Sequence, residues 1–257
     1  MILLLGGTSD ARWCREALDR RGVPYLLSTA TRYNPGTETT AGQAAGAVRL
    51  QGALDRRAMQ RLVRRQGVRL VIDATHPFAA RVSATAMEAC ARTGCAYLRY
   101  QRMPAPLPDT PLILRASSAG QAADVLAGLR GNILLTTGSR SLAVFAARVH
   151  PDRLFARVLP RAESIRECER CGLLPSHIVA MQGPFDRELN GYLIRKFDIS
   201  CMASKQSGTE GGLREKIEAC LDSGTKLLVI DPPVLEYPDV VHSPGELLDR
   251  LNGLFKE

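Results

Sequence analysis

Apolar residues in this chain fall in short unbroken runs, each closed by glycine or a hydroxyl residue and followed by a stretch with apolar positions every three or four residues. Such alternation reads as buried strands feeding amphipathic helices. Ile2-Leu3-Leu4-Leu5 is the first strand, Gly6-Gly7 a tight turn, and Thr8-Ser9-Asp10 the cap of a helix that runs to Arg21 and stops at Gly22. Pro24 to Thr29 supplies the second strand. An irregular stretch from 33 to 46 leads to a short strand, Val48 to Gln51, and Asp55 caps a basic helix that ends at Gly67. Leu70 to Thr75 forms the next strand, Pro77 stands at the first turn of a helix reaching Gly94, and Cys95 to Tyr100 is the fifth strand.

Four prolines between Met103 and Pro111 interrupt the pattern and predict a stiff linker. Beyond it the alternation restarts, with strands near 112–115, 132–136, 153–159, 177–181, 199–203 and 226–230. Helices are expected near 118–129, 139–149, 161–171, 186–197, 211–223 and 244–255. The expected fold is α/β, with two Rossmann-like domains, mostly parallel sheets and a cleft between facing strand ends. The expected boundaries are residues 1–103 for a nucleotide-binding domain, 104–111 for the linker and 112–257 for a substrate domain, the last helix packing back on the first.

Composition narrows the choice of partner. No apolar run approaches the roughly 20 residues that span a bilayer, and the amino terminus enters a strand with no basic leader, so a cytoplasmic protein is expected. The seven cysteines are an odd number, and Cys168 and Cys171 form the one C-x-x-C without a second pair or nearby histidines, so no metal site is expected. A net charge of +8 suits an anionic partner: nucleic acid, a polyanionic small molecule or a phosphorylated cofactor. The basic run Arg56, Arg57, Arg61, Arg64 and Arg65 reads as a solvated helix face, and without interleaved aromatics nucleic acid is disfavoured.

Chemistry is expected where polar loops follow strands. The turn Gly6, Gly7, Thr8 and Ser9 brings open helix amides toward an anion, although the third glycine of the dinucleotide fingerprint is missing. At the end of the second strand stand Ser28, Thr29, Thr31 and Arg32 and no carboxylate, which suits the 2′-phosphate of NADPH better than the bare ribose of NAD. Further loops carry Thr75-His76-Pro77, Arg99 to Arg102, and Thr137-Gly138-Ser139-Arg140. The glycine-rich run from Lys205 through Ser207 and Gly208 to Gly212 could hold a carboxylate or phosphate, but its order is wrong for a P-loop. A two-domain nucleotide-sugar transferase and a non-enzymatic nucleotide- or nucleic-acid-binding module fit the same outline.

The opening Leu-Leu-Gly-Gly-Thr-Ser-Asp-Ala-Arg resembles the precorrin-6A reductase family, as do Asp73-Ala74-Thr75-His76-Pro77-Phe78-Ala79, Tyr97-Leu98-Arg99 with Arg102, Thr136-Thr137-Gly138-Ser139 and Lys205 to Gly212. The motifs occur in the family's order and cover nearly the whole chain. One departure is Asp231-Pro232-Pro233, where an arginine before proline is expected. The resemblance implies reduction of a macrocycle double bond in cobalamin biosynthesis by direct hydride transfer from NADPH, with a tetrapyrrole-derived polyanion as substrate. On that basis Arg99, Arg102, Arg140 and Lys205, with Gly138, Ser139, Ser207 and Gly208, are candidates for the carboxylate arms. Gly6, Gly7, Thr8, Ser9, Ser28, Thr29, Thr31, Arg32 and Thr75 are candidates for the cofactor. His76 is the candidate catalytic residue, to donate a proton or to polarise, with a structural hydrogen bond or a wall of the nicotinamide pocket as its other readings, and Asp73 is expected to be structural.

Overall fold

The computed structural model describes residues 1–29, 47–52, 54–206 and 212–254. In chain order the strands are β1 (Ile2–Gly6), β2 (Tyr25–Thr29), β3 (Ala47–Gln51), β4 (Leu70–Asp73), β5 (Ala96–Tyr100), β6 (Ile113–Ala116), β7 (Asn132–Leu135), β8 (Leu154–Val158), β9 (Ile178–Ala180), β10 (Ile199–Lys205), β11 (Lys226–Ile230) and β12 (Val240–Val241). The helices are α1 (Ser9–Arg20), α2 (Arg56–Arg65), α3 (Ala80–Thr93), α4 (Ala119–Gly128), α5 (Leu142–Ala146), α6 (Ala162–Arg170), α7 (Arg187–Lys196), α8 (Leu213–Asp222) and α9 (Pro244–Leu254). The chain divides into two compact units, Met1–Met103 with Val234–Glu257, and Pro104–Pro233.

Unit 1 is a parallel sheet in the order β12-β5-β4-β1-β2-β3. Its central strands are apolar at every position because both faces are covered. Ile2 and Leu4 pack under α1 and α9 through Ala11, Cys14, Leu18, Leu247 and Leu251. Leu3 and Leu5 face the opposite way, onto Met59 and Val63 of α2 and Ala86, Ala89 and Cys90 of α3. From β1 the chain winds out through β2 and β3, then returns to β4 on the other side of β1. That reversal opens a crevice above the carboxyl ends of β1 and β4, the usual ligand position in open α/β sheets.

Unit 2 repeats the plan in the order β6-β11-β10-β7-β8-β9, again all parallel. Its reversal falls between β7 and β10. Leu134, Phe155, Met202, Leu227 and Val229 pack against α7 and α8. The alternate positions Ile133, Leu135, Ala156 and Cys201 are equally buried, so the other face is covered too.

The α/β reading with two Rossmann-like sheets therefore describes the molecule, with three local corrections. Residues 234–257 belong with unit 1, to which they add β12 and α9; a two-residue strand carries no periodicity to detect. The proline run does not stand free of unit 2, since Leu107 joins its core and the Ala105 carbonyl accepts a hydrogen bond from Gln206 Nε2 at 3.0 Å. Helix α3 begins at Ala80, three residues after Pro77, because His76 to Ala79 close a separate turn with the Ala79 amide on the His76 carbonyl at 2.7 Å.

Candidate active site

At the crevice of unit 1, β1 turns through Gly6 and Gly7 into α1. A Cβ on Gly6 would stand 2.9 Å from Ala11 Cβ and 3.0 Å from Leu27 Cδ1, so the close packing of helix on sheet requires glycine there. Gly7 has φ +115°, a region open to glycine and few others. Thr8 fixes the turn twice: its Oγ1 caps α1 by accepting from the Ala11 amide at 3.1 Å and donates to the Ala74 carbonyl at 2.7 Å. The second bond ties the β1 loop to the β4 loop across the reversal. The Ala11 amide is taken by this cap and the Arg12 amide by the Thr8 carbonyl at 3.3 Å, so the amides of Ser9 and Asp10 are the first-turn donors an anion could meet.

Arg102 was expected on the substrate, but its guanidinium is drawn to this turn. Its Nε bonds Asp10 Oδ1 at 2.5 Å and its Nη2 bonds Ser9 Oγ at 3.2 Å. At the end of β2, Ser28 and Thr29 are buried beside Leu5 and Gly6, and among the described residues Thr29 Oγ1 has no hydrogen-bond partner. An orphaned buried hydroxyl at the carboxyl end of β2 is the kind of group a bound ligand would satisfy. Thr31 and Arg32 lie outside the described residues.

The β4 end is built around Asp73. Its Oδ1 accepts from the Thr75 amide at 3.0 Å, from Thr75 Oγ1 at 2.7 Å and from Arg99 Nη1 at 2.9 Å, while Oδ2 accepts from Tyr97 Oη at 2.8 Å. Burial alone would push this carboxyl up; Arg99 and the hydrogen bonds from Ser83 and Thr75 outweigh it and hold it below the ordinary carboxylate range. Arg99, also expected on the substrate, is only 1% exposed. Its Nη2 holds the Thr75 carbonyl at 2.9 Å, its Nε holds Gln101 Oε1 at 3.1 Å, and its guanidinium lies 5.3 Å from the ring centre of Tyr237. Arg99 therefore positions the Thr75-His76 loop instead of meeting a ligand.

That network presents His76. Its Nδ1 accepts from the Phe78 amide at 3.2 Å, which leaves the ring proton on Nε2. Tyr97, which the sequence offered only within the Tyr97-Leu98-Arg99 motif and without a role, stacks on Tyr237 at 6.4 Å with planes 8° apart, and Tyr237 was not singled out at all. The alternation of Tyr97 and Arg99 along β5 is the signal that could have found the first; nothing local marks Tyr237, which comes from the returning tail.

In unit 2 the crevice lies above β7 and β10. Thr136 donates through Oγ1 to the Ala203 carbonyl at 2.9 Å, and the buried Thr137 accepts from Ser141 Oγ at 2.9 Å. Gly138 has φ +81° and turns the chain into a short 3-10 helix, Ser139–Ser141, which replaces the first turn of the helix expected from residue 139. Lys205 closes β10. Burial lowers the pKa of its amine first, and the charge of Arg140 lowers it further. Ser207 and Gly208 lie outside the described residues. Among the described residues no group of histidine, cysteine or acidic side chains could hold a metal ion, and no helix is long and apolar enough to cross a membrane.

Comparison with known proteins identifies the family. Residues 1–252 match the family model described as precorrin-6x reductase CbiJ/CobK. The chain is 37% identical to the cobalt-precorrin-6A reductase of Salmonella typhimurium over 255 residues, which cover 98% of this chain and 95% of that one. It is 34% identical to the enzyme of the same name from Priestia megaterium over 254 residues, 98% of each chain. The solved structure of CobK precorrin-6A reductase matches with a TM-score of 0.77 at 26% identity, covering 98% of this chain and 96% of that one. The chain belongs to the precorrin-6x reductase CbiJ/CobK family, oxidoreductases of cobalamin biosynthesis.

Proposed function

We propose that the protein reduces one double bond of the precorrin-6A macrocycle, free or as its cobalt complex, to give precorrin-6B at the expense of NADPH. The cobalt complex is the first candidate, because the two relatives compared above carry that name. Membership of a reductase family disfavours both the nucleotide-sugar transferase and the non-enzymatic module. The supply of NADPH assigns the reaction to the cytoplasm.

The observation that carries the cofactor reading is the β1–β4 crevice: a glycine turn, open α1 amides and an unpartnered Thr29 hydroxyl beside it. Those features fit a dinucleotide, with Gly6, Gly7, Thr8 and Ser9 at the pyrophosphate. Ser28, Thr29, Thr31 and Arg32 would receive the 2′-phosphate, and Thr75 would line the nicotinamide end. The bound cofactor supplies the hydride. His76 would polarise the conjugated system through its Nε2–H, and the neighbouring carbon of the macrocycle would take its proton from solvent. In unit 2, Arg140 and Lys205, with Gly138, Ser139, Ser207 and Gly208, would hold carboxylate arms.

The test begins with the change in NADPH fluorescence on mixing, followed by loss of NADPH absorbance when precorrin-6A or its cobalt complex is added. Arg32→Ala should weaken NADPH by about tenfold more than NADH, the loss of one charge-assisted contact. An equal loss for both cofactors sinks the 2′-phosphate assignment. His76→Ala should lower turnover with NADPH affinity kept, and unchanged turnover removes it from the mechanism.

A further inference from the structure

The carboxyl end of the unit 2 sheet carries a polar layer whose two cations, Arg157 and Lys216, have no part in the reading given above. On the face covered by α7 and α8, Phe155, Leu134 and Met202 stand side by side on β8, β7 and β10. Two residues further along each strand, the same face presents Arg157, Thr136 and Ser204. Side chains alternate along a strand, so these three form one row directly above the apolar one. The row lies at the chain reversal between β7 and β10, where ligands of such sheets bind.

Two cations lie in this layer. Arg157 is 5% exposed; its Nη1 donates to Asn190 Oδ1 of α7 at 2.8 Å, and its guanidinium lies 3.9 Å from the ring centre of Phe185. Lys216, in the first turn of α8, is 7% exposed and donates from Nζ to Ser204 Oγ at 2.8 Å. Neither forms an ion pair among the described residues, and the partners of both are neutral. Asn190 is itself fully buried and held by the Asp186 carbonyl at 2.7 Å.

Such an arrangement is costly without an anion. A buried charge lacking a counter-ion is disfavoured by several kcal/mol. Burial first, and then the charge of Arg157, brings the Lys216 amine down to about 7, with Glu215 and Cys220 on its own helix pulling the other way. Burial likewise brings Arg157 down to about 10. Two strained cations with orienting amide and hydroxyl groups form a receptor for a group that carries negative charge and two acceptor oxygens.

We propose that Arg157 and Lys216, with Thr136, Asn190 and Ser204, form a binding pocket for one carboxylate arm of the macrocycle. The identity of that carboxylate rests on the proposed reduction; the pocket itself does not. Arg157 offers a planar fork to the carboxylate and Lys216 a point charge, while Phe185 covers the guanidinium from one side.

The pocket is tested with propionate as probe, propionamide as the uncharged control of the same shape, and inorganic phosphate as the competing anion. Wild-type protein should show a saturable rise in melting temperature with propionate, none with propionamide and a smaller one with phosphate. Lys216→Met and Arg157→Gln should each abolish the propionate effect. A rise that persists in both variants, or propionate and propionamide acting alike, overturns the proposal; a larger rise with phosphate overturns the carboxylate assignment. Should Lys216→Met not fold, Arg157→Lys decides the matter: it keeps the charge without the fork and should weaken propionate binding about tenfold. In turnover, Lys216→Met should raise the KM for the macrocycle about tenfold with the KM for NADPH unchanged. If the wild-type protein oxidises no NADPH, the proposed reaction fails while the propionate series still decides the pocket.

Discussion

The two units share one plan and treat their buried cations in opposite ways. Each sheet reverses its winding at the centre, and in each a threonine hydroxyl bonds a carbonyl on the neighbouring strand or its loop: Thr8 to Ala74 in unit 1, Thr136 to Ala203 in unit 2. Beside the first reversal, Arg99 is paired with Asp73 and also donates to the Thr75 carbonyl and to Gln101 Oε1. Beside the second, Arg157 and Lys216 have neutral partners. A buried guanidinium that already has its carboxylate can hold a loop in place but has nothing left for a ligand. One that lacks a carboxylate strains the free protein and is satisfied by an anionic guest.

The largest effect expected from this contrast comes from removing the acid in unit 1. Asp73→Ala leaves Arg99 buried without its counter-ion, a change that typically costs about 3–5 kcal/mol. Urea denaturation at neutral pH measures it, and a cost under about 1 kcal/mol would show that the pair does not hold the loop. The pH dependence has a definite sign. The folded carboxyl titrates below its unfolded value, so its contribution is present above about pH 4 and is lost as pH falls through the lower folded pKa. Asp73→Ala should flatten the acid limb of the stability curve.

The matching change in unit 2 should act in the opposite direction. The folded amine of Lys216 titrates at about 7, well below its unfolded value of about 10.4, so the unfolded chain binds more protons between those limits. Stability should therefore rise with pH across that window, by at most about 1.4 kcal/mol per unit from this group. Above pH 10 the depressed Arg157 adds to the rise. The groups that face the amine are Ser204 of β10, Arg157 of β8, and Glu215 and Cys220 of α8. Lys216→Met should remove the rise between pH 7 and 10 and stabilise the ligand-free protein at pH 7 by about 1–3 kcal/mol, as apolar replacement of a buried charge often does. Melting curves across that range check both, and an unchanged slope would mean that the amine is not strained.

How much of this could be read from the sequence follows from how each residue sits in its local pattern. The strands and the glycine turn were legible because leucine runs closed by Gly6-Gly7 and by Thr136-Thr137-Gly138 have few other readings. The fate of Arg99 was not legible, since its partner Asp73 is 26 positions away on a neighbouring strand and only the register brings them together. Arg157 hides in Leu-Phe-Ala-Arg-Val, and Lys216 in Leu-Arg-Glu-Lys-Ile-Glu, which reads as a solvated helix. A closer look at spacing finds both. Arg157 follows Phe155 by two on one strand face, and Lys216 falls on the stripe of Leu213, Ile217 and Cys220 that α8 buries. Within the tail of unit 1, β12 was missed for a different reason: it is two residues long, and its place is set by pairing with Arg99 and Tyr100.

The smallest effect concerns the two threonines, and it separates the turn proposed to take the cofactor from a strand end proposed to serve the macrocycle. Thr8→Val removes both the α1 cap and the bond to Ala74, two contributions of about 1 kcal/mol each. Thr136→Val removes one such bond, and the Thr136 amide keeps the Ala203 carbonyl at 2.8 Å, so a loss of about 1 kcal/mol or less is expected. Denaturant midpoints should rank the variants in that order. NADPH titration should divide them further, with Thr8→Val weakening the cofactor because the first turn of α1 loosens, and Thr136→Val leaving it unchanged. If Thr136→Val weakens NADPH as much as Thr8→Val does, the two crevices do not divide the work, and the dinucleotide cannot be assigned to unit 1 alone.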